Sequence, residues 1–199
     1  MNSVFKGKLD NTLKVEPFKN QDSDEPSDEA LVGRFLNGSR ISYELLVLRY
    51  KQRIFEFIYF QIKQHNHDAE DLTQEVFLEL YKKASNFRNE SKFSTYLFSI
   101  AKNIVFNYFR ASSRRFSFFK VFYKEREEQE INLQEQYMNE AVQQQVILAI
   151  NRLSADERQI IYLCDKEDFS YLQISEILDI KIGTVRSRLN TAERKLLVP

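Results

Sequence analysis

Between Pro26 and Pro199 the chain contains no proline, and only three glycines (Gly33, Gly38 and Gly183) interrupt that stretch. Proline removes a backbone donor and clashes with the preceding helical turn, so its absence over such a length leaves helices free to form. Apolar residues recur in steps of three and four throughout, the period of an α-helix packed on one face. The chain therefore reads as all-α. Residues 1–25 are polar and mixed in charge, with Pro17 inside and Pro26 at their edge, and read as a flexible tail.

Four helices are expected in the first half. Ser27, followed by Asp28 and Glu29, opens one that ends at Asn37-Gly38. A second spans about Ile41 to His65 with Leu45, Leu48, Ile54, Phe55, Ile58 and Ile62 inward. His65-Asn66-His67 reads as a turn; without Cys or carboxylate partners at ligand spacing, it is not a metal site. A third helix starts with Asp68 as its cap and runs to about Lys83, with Leu72, Val76, Phe77 and Leu80 inward. Its other face carries Asp71, Gln74, Glu75 and Leu78, an acidic surface with one leucine that suits a protein contact better than a nucleic acid. After the polar loop Phe87 to Lys92 comes a fourth helix, to about Arg110, with Leu97, Ile100, Ala101, Ile104 and Tyr108 inward. Tyr96, Ser99, Asn103, Asn107 and Arg110 form a second, polar stripe, combining an aromatic, amides and a cation as single-stranded DNA recognition requires.

Residues 111–140 change character, mixing phenylalanines and arginines before turning acidic. This marks a linker over 113–138 between two small helical domains, 26–112 and 139–199. In the second domain, Ala141 to Leu153 supply one helix and Ser154-Ala155-Asp156-Glu157 caps the next. Ser170 with Gln173 is another capping box, followed by Tyr171, Ile174, Ile177 and Leu178 on one face. Asp179 to Lys181 turn the chain. Ile182, Val185, Leu189, Ala192 and Leu196 then make a buried stripe, from which Arg186, Ser187, Asn190 and Arg194 fall away. A short helix, a turn and an amphipathic helix with a basic outer face is a helix-turn-helix.

Charge balances at 29 basic and 29 acidic residues but is segregated. Residues 81–120 carry nine basic groups against one acid, whereas residues 68–80 carry five acids and no base. Basic blocks on a neutral chain suit local phosphate binding. Cys164 is the sole cysteine, which fits a reducing compartment. With no leader-like apolar run and no stretch of membrane-spanning length, the expectation is a cytoplasmic protein without membrane insertion. No phosphate loop, zinc spacing or nucleophile–base arrangement is present, so the chain reads as a binding protein needing no cofactor, not an enzyme.

The segments Asp68-Ala69-Glu70-Asp71-Leu72-Thr73-Gln74-Glu75-Val76-Phe77-Leu78-Glu79-Leu80-Tyr81 and Phe93-Ser94-Thr95-Tyr96-Leu97-Phe98-Ser99-Ile100-Ala101-Lys102-Asn103 resemble region two of extracytoplasmic-function sigma factors, within the sigma-70 family of bacterial RNA polymerase. Leu153 to Arg158, Ser170 to Leu178 and Gly183 to Leu189 resemble region four. The resemblance implies a subunit that binds core RNA polymerase and directs promoter-specific initiation. It implies that Asp71, Gln74, Glu75 and Leu78 dock on the beta-prime clamp. Phe87, Arg88, Asn89, Ser91, Lys92, Tyr96, Asn103, Asn107 and Arg110 would take the melted minus-ten element. Thr184, Arg186, Ser187, Arg188, Asn190 and Arg194 would meet the minus-thirty-five element in the major groove. It further implies a linker threading toward the polymerase's active-site and RNA-exit channel, and control by an anti-sigma factor, often membrane-bound. This chain departs from the family's habit in having Tyr96 where Trp is usual and Lys181-Ile182 where Pro-Val is common. The competing reading is a stand-alone regulator that binds duplex DNA as a dimer through the helix-turn-helix. The acidic third helix and polar fourth favour the sigma factor, since a simple repressor needs neither.

Overall fold

The computed structural model of the chain describes residues 25–62, 66–119, 150 and 152–197. These form seven α-helices with no strand among the described residues: α1 (Asp28–Leu36), α2 (Arg40–Gln61), α3 (Asn66–Lys83), α4 (Phe93–Phe119), α5 (Ala155–Ile161), α6 (Tyr171–Leu178) and α7 (Ile182–Leu197). A 3₁₀ turn, Ala84–Asn86, follows α3, and a π turn, Tyr162–Lys166, follows α5. The expected tail, most of the linker and the helix expected before Leu153 lie outside the described residues.

The Ser27 hydroxyl accepts from the Ala30 amide and starts α1. Gly38, at a φ of 94°, makes the turn into α2, a conformation that suits a residue without Cβ. At the start of α1, Asp28 takes the Arg49 guanidinium at 2.7 Å and a short hydrogen bond from the Tyr50 hydroxyl, pinning α1 antiparallel to α2. Glu29 of α1 accepts the Phe93 amide at 3.1 Å, satisfying a donor at the start of α4.

Three expectations need correction. Leu45 and Leu48 point outward, Leu48 being 76% exposed, and the core face of α2 is Leu46, Tyr50, Ile54, Phe57 and Ile58. Apolar residues nearly encircle this helix, so three-and-four spacing describes two faces and cannot choose between them. Asp68 is not a cap: α3 begins at Asn66, and the Asp68 carboxylate accepts from the Tyr108 hydroxyl at 2.6 Å. Finally, α4 continues past Arg110 to Phe119, so residues 113–119 of the expected linker are helical; neither Pro nor Gly stands there to stop it.

The two expected bundles share one core. Phe57 of α2 meets Phe98 of α4 at 5.4 Å and Tyr162 of the π turn at 5.6 Å, and Phe98 meets Phe169 at 5.2 Å. All four rings are buried. Among the described residues no helix is long and apolar enough to cross a membrane.

Candidate nucleic-acid interface

The acidic face of α3 stands clear of the core. Asp71, Gln74, Glu75 and Leu78 are all exposed, Leu78 at 60%, while Leu72, Val76, Phe77 and Leu80 are buried behind them. The helix is held from the back. Thr73 donates to the Ala69 carbonyl at 2.7 Å, and the Tyr43 hydroxyl donates to the Phe77 carbonyl at 2.8 Å. Toward its end, a hydrogen bond from Lys83 at 2.5 Å holds the Glu79 carboxyl below its ordinary range. A rigid helix offering carboxylates and one leucine is a protein-docking surface in chemical character.

Beyond α3 the chain folds around a cleft of about 330 Å³ lined by Ser85, Asn86, Phe87, Arg88, Glu90, Ser91 and Tyr96. That volume lies at the lower end of small-ligand sites. Phe87 is the floor rather than a free contact: it is buried, 5.8 Å from Phe93 and 5.3 Å from Tyr96. The Tyr96 hydroxyl donates to the Lys83 carbonyl at 2.8 Å, fixing the ring as a wall, and burial raises its pKa. Asn89 has a φ of 58°, a left-handed conformation asparagine tolerates, and it sits between the lining residues Arg88 and Glu90. Arg88, Asn89 and Lys92 are exposed around it, and Ser91 is half-buried.

From the cleft, α4 presents Asn103, Asn107 and Arg110 to solvent. Ser99 is less available than its spacing suggests, because its hydroxyl donates to the Tyr96 carbonyl at 2.7 Å. Periodicity missed Phe106, which is 59% exposed between the two asparagines. Phe106 falls outside the inward set of Leu97, Ile100, Ala101, Ile104 and Tyr108, and its position one residue from Asn107 was the available signal.

The helix-turn-helix forms as its caps dictate. Ser170 and Gln173 exchange backbone bonds reciprocally, as do Ser154 and Glu157. Asp179 ends α6 in the left-handed region, at a φ of 55°. Val185, Leu189 and Ala192 are buried, while Arg186, Ser187, Asn190 and Arg194 are exposed and Thr184 is half-buried. Tyr171 and Ile182, expected inward, are each 38% exposed. The Tyr171 ring instead lies under the Arg186 guanidinium at 5.9 Å, which positions that cation from behind. Arg188 is engaged by Asp156 of α5 at 2.7 Å and so differs from Arg186 in availability. Lys195 donates to both carboxylate oxygens of Glu157 at 2.8 Å, tying α7 to the capping box of α5. Burial alone would raise the Glu157 carboxyl, but Lys195 and the Ser154 donors hold it below the ordinary range.

Two separate surfaces thus emerge, a cleft-and-stripe on one half and a basic helix on the other, a pair of helical surfaces whose chemistry suits nucleic acid. Known proteins agree. The family model described as Sigma-70 region 2 matches residues 46–115, and that described as Sigma-70, region 4 matches residues 143–196. The chain is 32% identical over 182 residues to the ECF RNA polymerase sigma-E factor of Escherichia coli (strain K12), covering 87% of this chain and 94% of the relative. It is 29% identical to the corresponding factor of Haemophilus influenzae, covering 87% and 95%. In fold it is similar to the sigma factor RpoE crystallised with the anti-sigma factor NepR from Bartonella quintana, with a TM-score of 0.62 and 24% identity over 77% of this chain and 93% of that one. It is also similar to CnrH in complex with the cytosolic domain of CnrY, with a TM-score of 0.63 and 17% identity over 86% and 95%. The chain belongs to the extracytoplasmic-function group of the sigma-70 family of RNA polymerase sigma factors. It is a transcription initiation factor that works with RNA polymerase at promoters, and a stand-alone dimeric regulator is not favoured.

Proposed function

We propose that each exposed surface has one partner. Asp71, Gln74, Glu75 and Leu78 dock on the beta-prime clamp of core polymerase. The cleft walled by Tyr96, with Arg88, Asn89, Ser91 and Lys92 around it, takes an unstacked base of the minus-ten element. Asn103, Asn107 and Arg110 continue that contact along α4, with Phe106 offering a face for a second base to stack on. Thr184, Arg186, Ser187, Asn190 and Arg194 face the minus-thirty-five major groove; Arg188 joins them only by leaving Asp156. Residues 26–112 act as region two and 139–199 as region four, on either side of the linker. The protein works without catalysis in the cytoplasm, where core polymerase and promoter DNA are. Because RpoE and CnrH are each described in complex with a partner, we include an anti-sigma factor among its partners.

The observation that carries this reading is the separation of chemistry on α3 and α4. Carboxylates and a leucine stand out on α3, while a cleft and amides occupy the next segment, so protein and nucleic acid each have a surface of suitable character. Run-off transcription with purified core polymerase and a genomic fragment library tests the whole assignment: new start sites are expected only with the protein present. Glu75→Arg is expected to abolish co-purification with core polymerase while circular dichroism stays unchanged. Normal co-purification of that variant would remove α3 from the interface.

A further inference from the structure

The cations of α7 do not all face the same way. At about 3.6 residues per turn, Ser187 and Arg194 stand about 170° around the helix from the buried stripe of Val185, Leu189 and Ala192. Arg188 and Lys195 lie within about 90° of that stripe, on the flank that packs against α5. There two neighbouring acids meet them. Asp156 Oδ2 accepts from Arg188 Nη1 at 2.7 Å, and both oxygens of Glu157 accept from Lys195 Nζ at 2.8 Å. Glu157 is fixed in its turn, since Oε2 also accepts the Ser154 amide at 2.8 Å. Arg186 occupies the opposite flank, over the Tyr171 ring of α6.

These polar contacts supply what the apolar stripe lacks. Burial of Val185, Leu189 and Ala192 is non-directional and leaves α7 free to roll and slide by small amounts. Hydrogen bonds have defined lengths and angles. Arg188 and Lys195 stand two turns apart, about 10 Å along the axis, so the two pairs hold α7 at two points on one flank. Base reading needs that constraint, because a bidentate contact to a base edge tolerates errors of only about 0.5 Å.

We propose that Asp156 and Arg188 are positioning residues for minus-thirty-five recognition. Their ion pair, together with the contact of Lys195 with Glu157, sets the roll of α7 in the major groove, and Arg188 stays on Asp156 while DNA is bound. Exchanging Asp156 for a phosphate swaps one anion for another and gives up the brace. The proposal rests on the assignment of α7 to the minus-thirty-five element under Proposed function.

The test uses the full chain bound to core polymerase, on a promoter recovered by run-off transcription and on the same fragment with its minus-thirty-five element scrambled. Arg188→Gln and Asp156→Asn are each expected to weaken promoter binding about two- to fivefold, with less change on the scrambled fragment, so that preference relaxes. In Arg188→Gln the salt dependence stays that of the wild type, because no phosphate contact is lost. Arg188→Asp alone loses about tenfold, and adding Asp156→Arg restores the pair in reverse, returning affinity and preference to within about twofold of wild type. Thermal melting reports folding, and the two neutral changes are mild enough to carry the test if a charge reversal misfolds. Tighter promoter binding by Asp156→Asn, a salt slope lower by about one in Arg188→Gln, or a paired exchange as weak as Arg188→Asp would place Arg188 on the DNA and overturn the brace. Arg186→Ala separates the two readings. If it weakens promoter binding and the two neutral variants do not, only the brace falls; if none of the three alters binding, the assignment of α7 falls with it.

Discussion

Region two buries rings among its aliphatic chains, whereas region four fills its own interior with aliphatic chains. Tyr50, Phe57, Phe77, Phe87, Phe93 and Phe98 lie in the first, often edge to face. Ile160, Leu163, Ile174, Ile177, Val185, Leu189 and Ala192 fill the second. The buried rings described in region four, Tyr162 and Phe169, turn toward region two. Capping differs in parallel. Both short helices of region four that follow a serine open with full capping boxes, whereas the Ser39 side chain makes no cap bond to α2. Region four is therefore specified more locally and uses its rings for docking, while region two adds long-range aromatic packing to an aliphatic core.

The most severe break in this contrast is Phe98→Ala. It removes a fully buried ring shared by both halves and is expected to cost about 3–5 kcal/mol in urea unfolding, lowering the transition of both halves together. Loss confined to region two would show that the shared core is energetically idle. Next, Arg186→Ala should weaken minus-thirty-five binding by about 1–3 kcal/mol and relax sequence preference, if the residue reads a base. Arg188→Ala should cost less, because Asp156 already engages that side chain; the two are separated by competition binding to mutated promoters. Equal losses on every sequence would make Arg186 a phosphate contact.

A smaller effect isolates the caps. Ser170→Ala should destabilise region four by about 1 kcal/mol, while Ser39→Ala should stay within about 0.5 kcal/mol, both by thermal melting. Similar losses at the two sites would erase the contrast in local specification. The mildest probe is chemical. Burial, with Asp165 and Glu193 nearby, pushes the half-buried Cys164 thiol up to about 11, above its ordinary value, so less thiolate exists at pH 8. Alkylation at pH 8 should run at least about tenfold slower than in the urea-unfolded chain. Equal rates would mean that the turn after α5 is open in solution.

Most helices could be read from the residues because their signals are local. Ser27, Ser154 and Ser170 each start a helix where a side chain meets a nearby amide, and such bonds depend on a few consecutive positions. The outward set on α3 was legible because acids and apolar residues separate cleanly around that helix. On α2 the same reasoning failed, since Leu45 and Leu48 repeat at the spacing of the true core face. In the candidate site, Asn103, Asn107, Arg186 and Asn190 stand where spacing put them. Phe87 did not, because a loop aromatic carries no period and its burial depends on Phe93 and Tyr96 arriving beside it. The engagement of Arg188 by Asp156, thirty-two positions away, has no local sign either.

What the proline-free stretch determined by itself was an all-helical chain, its capped helix starts and the chemistry offered on α3, α4 and α7, because each depends on residues within a few turns of one another. Tertiary structure alone decided which face of α2 is core, that Arg53 would meet Glu167, and that both halves would share Phe98. Those outcomes rest on contacts between residues up to 114 positions apart, whose pairing becomes defined only when several helices pack together and exclude water from the space between them.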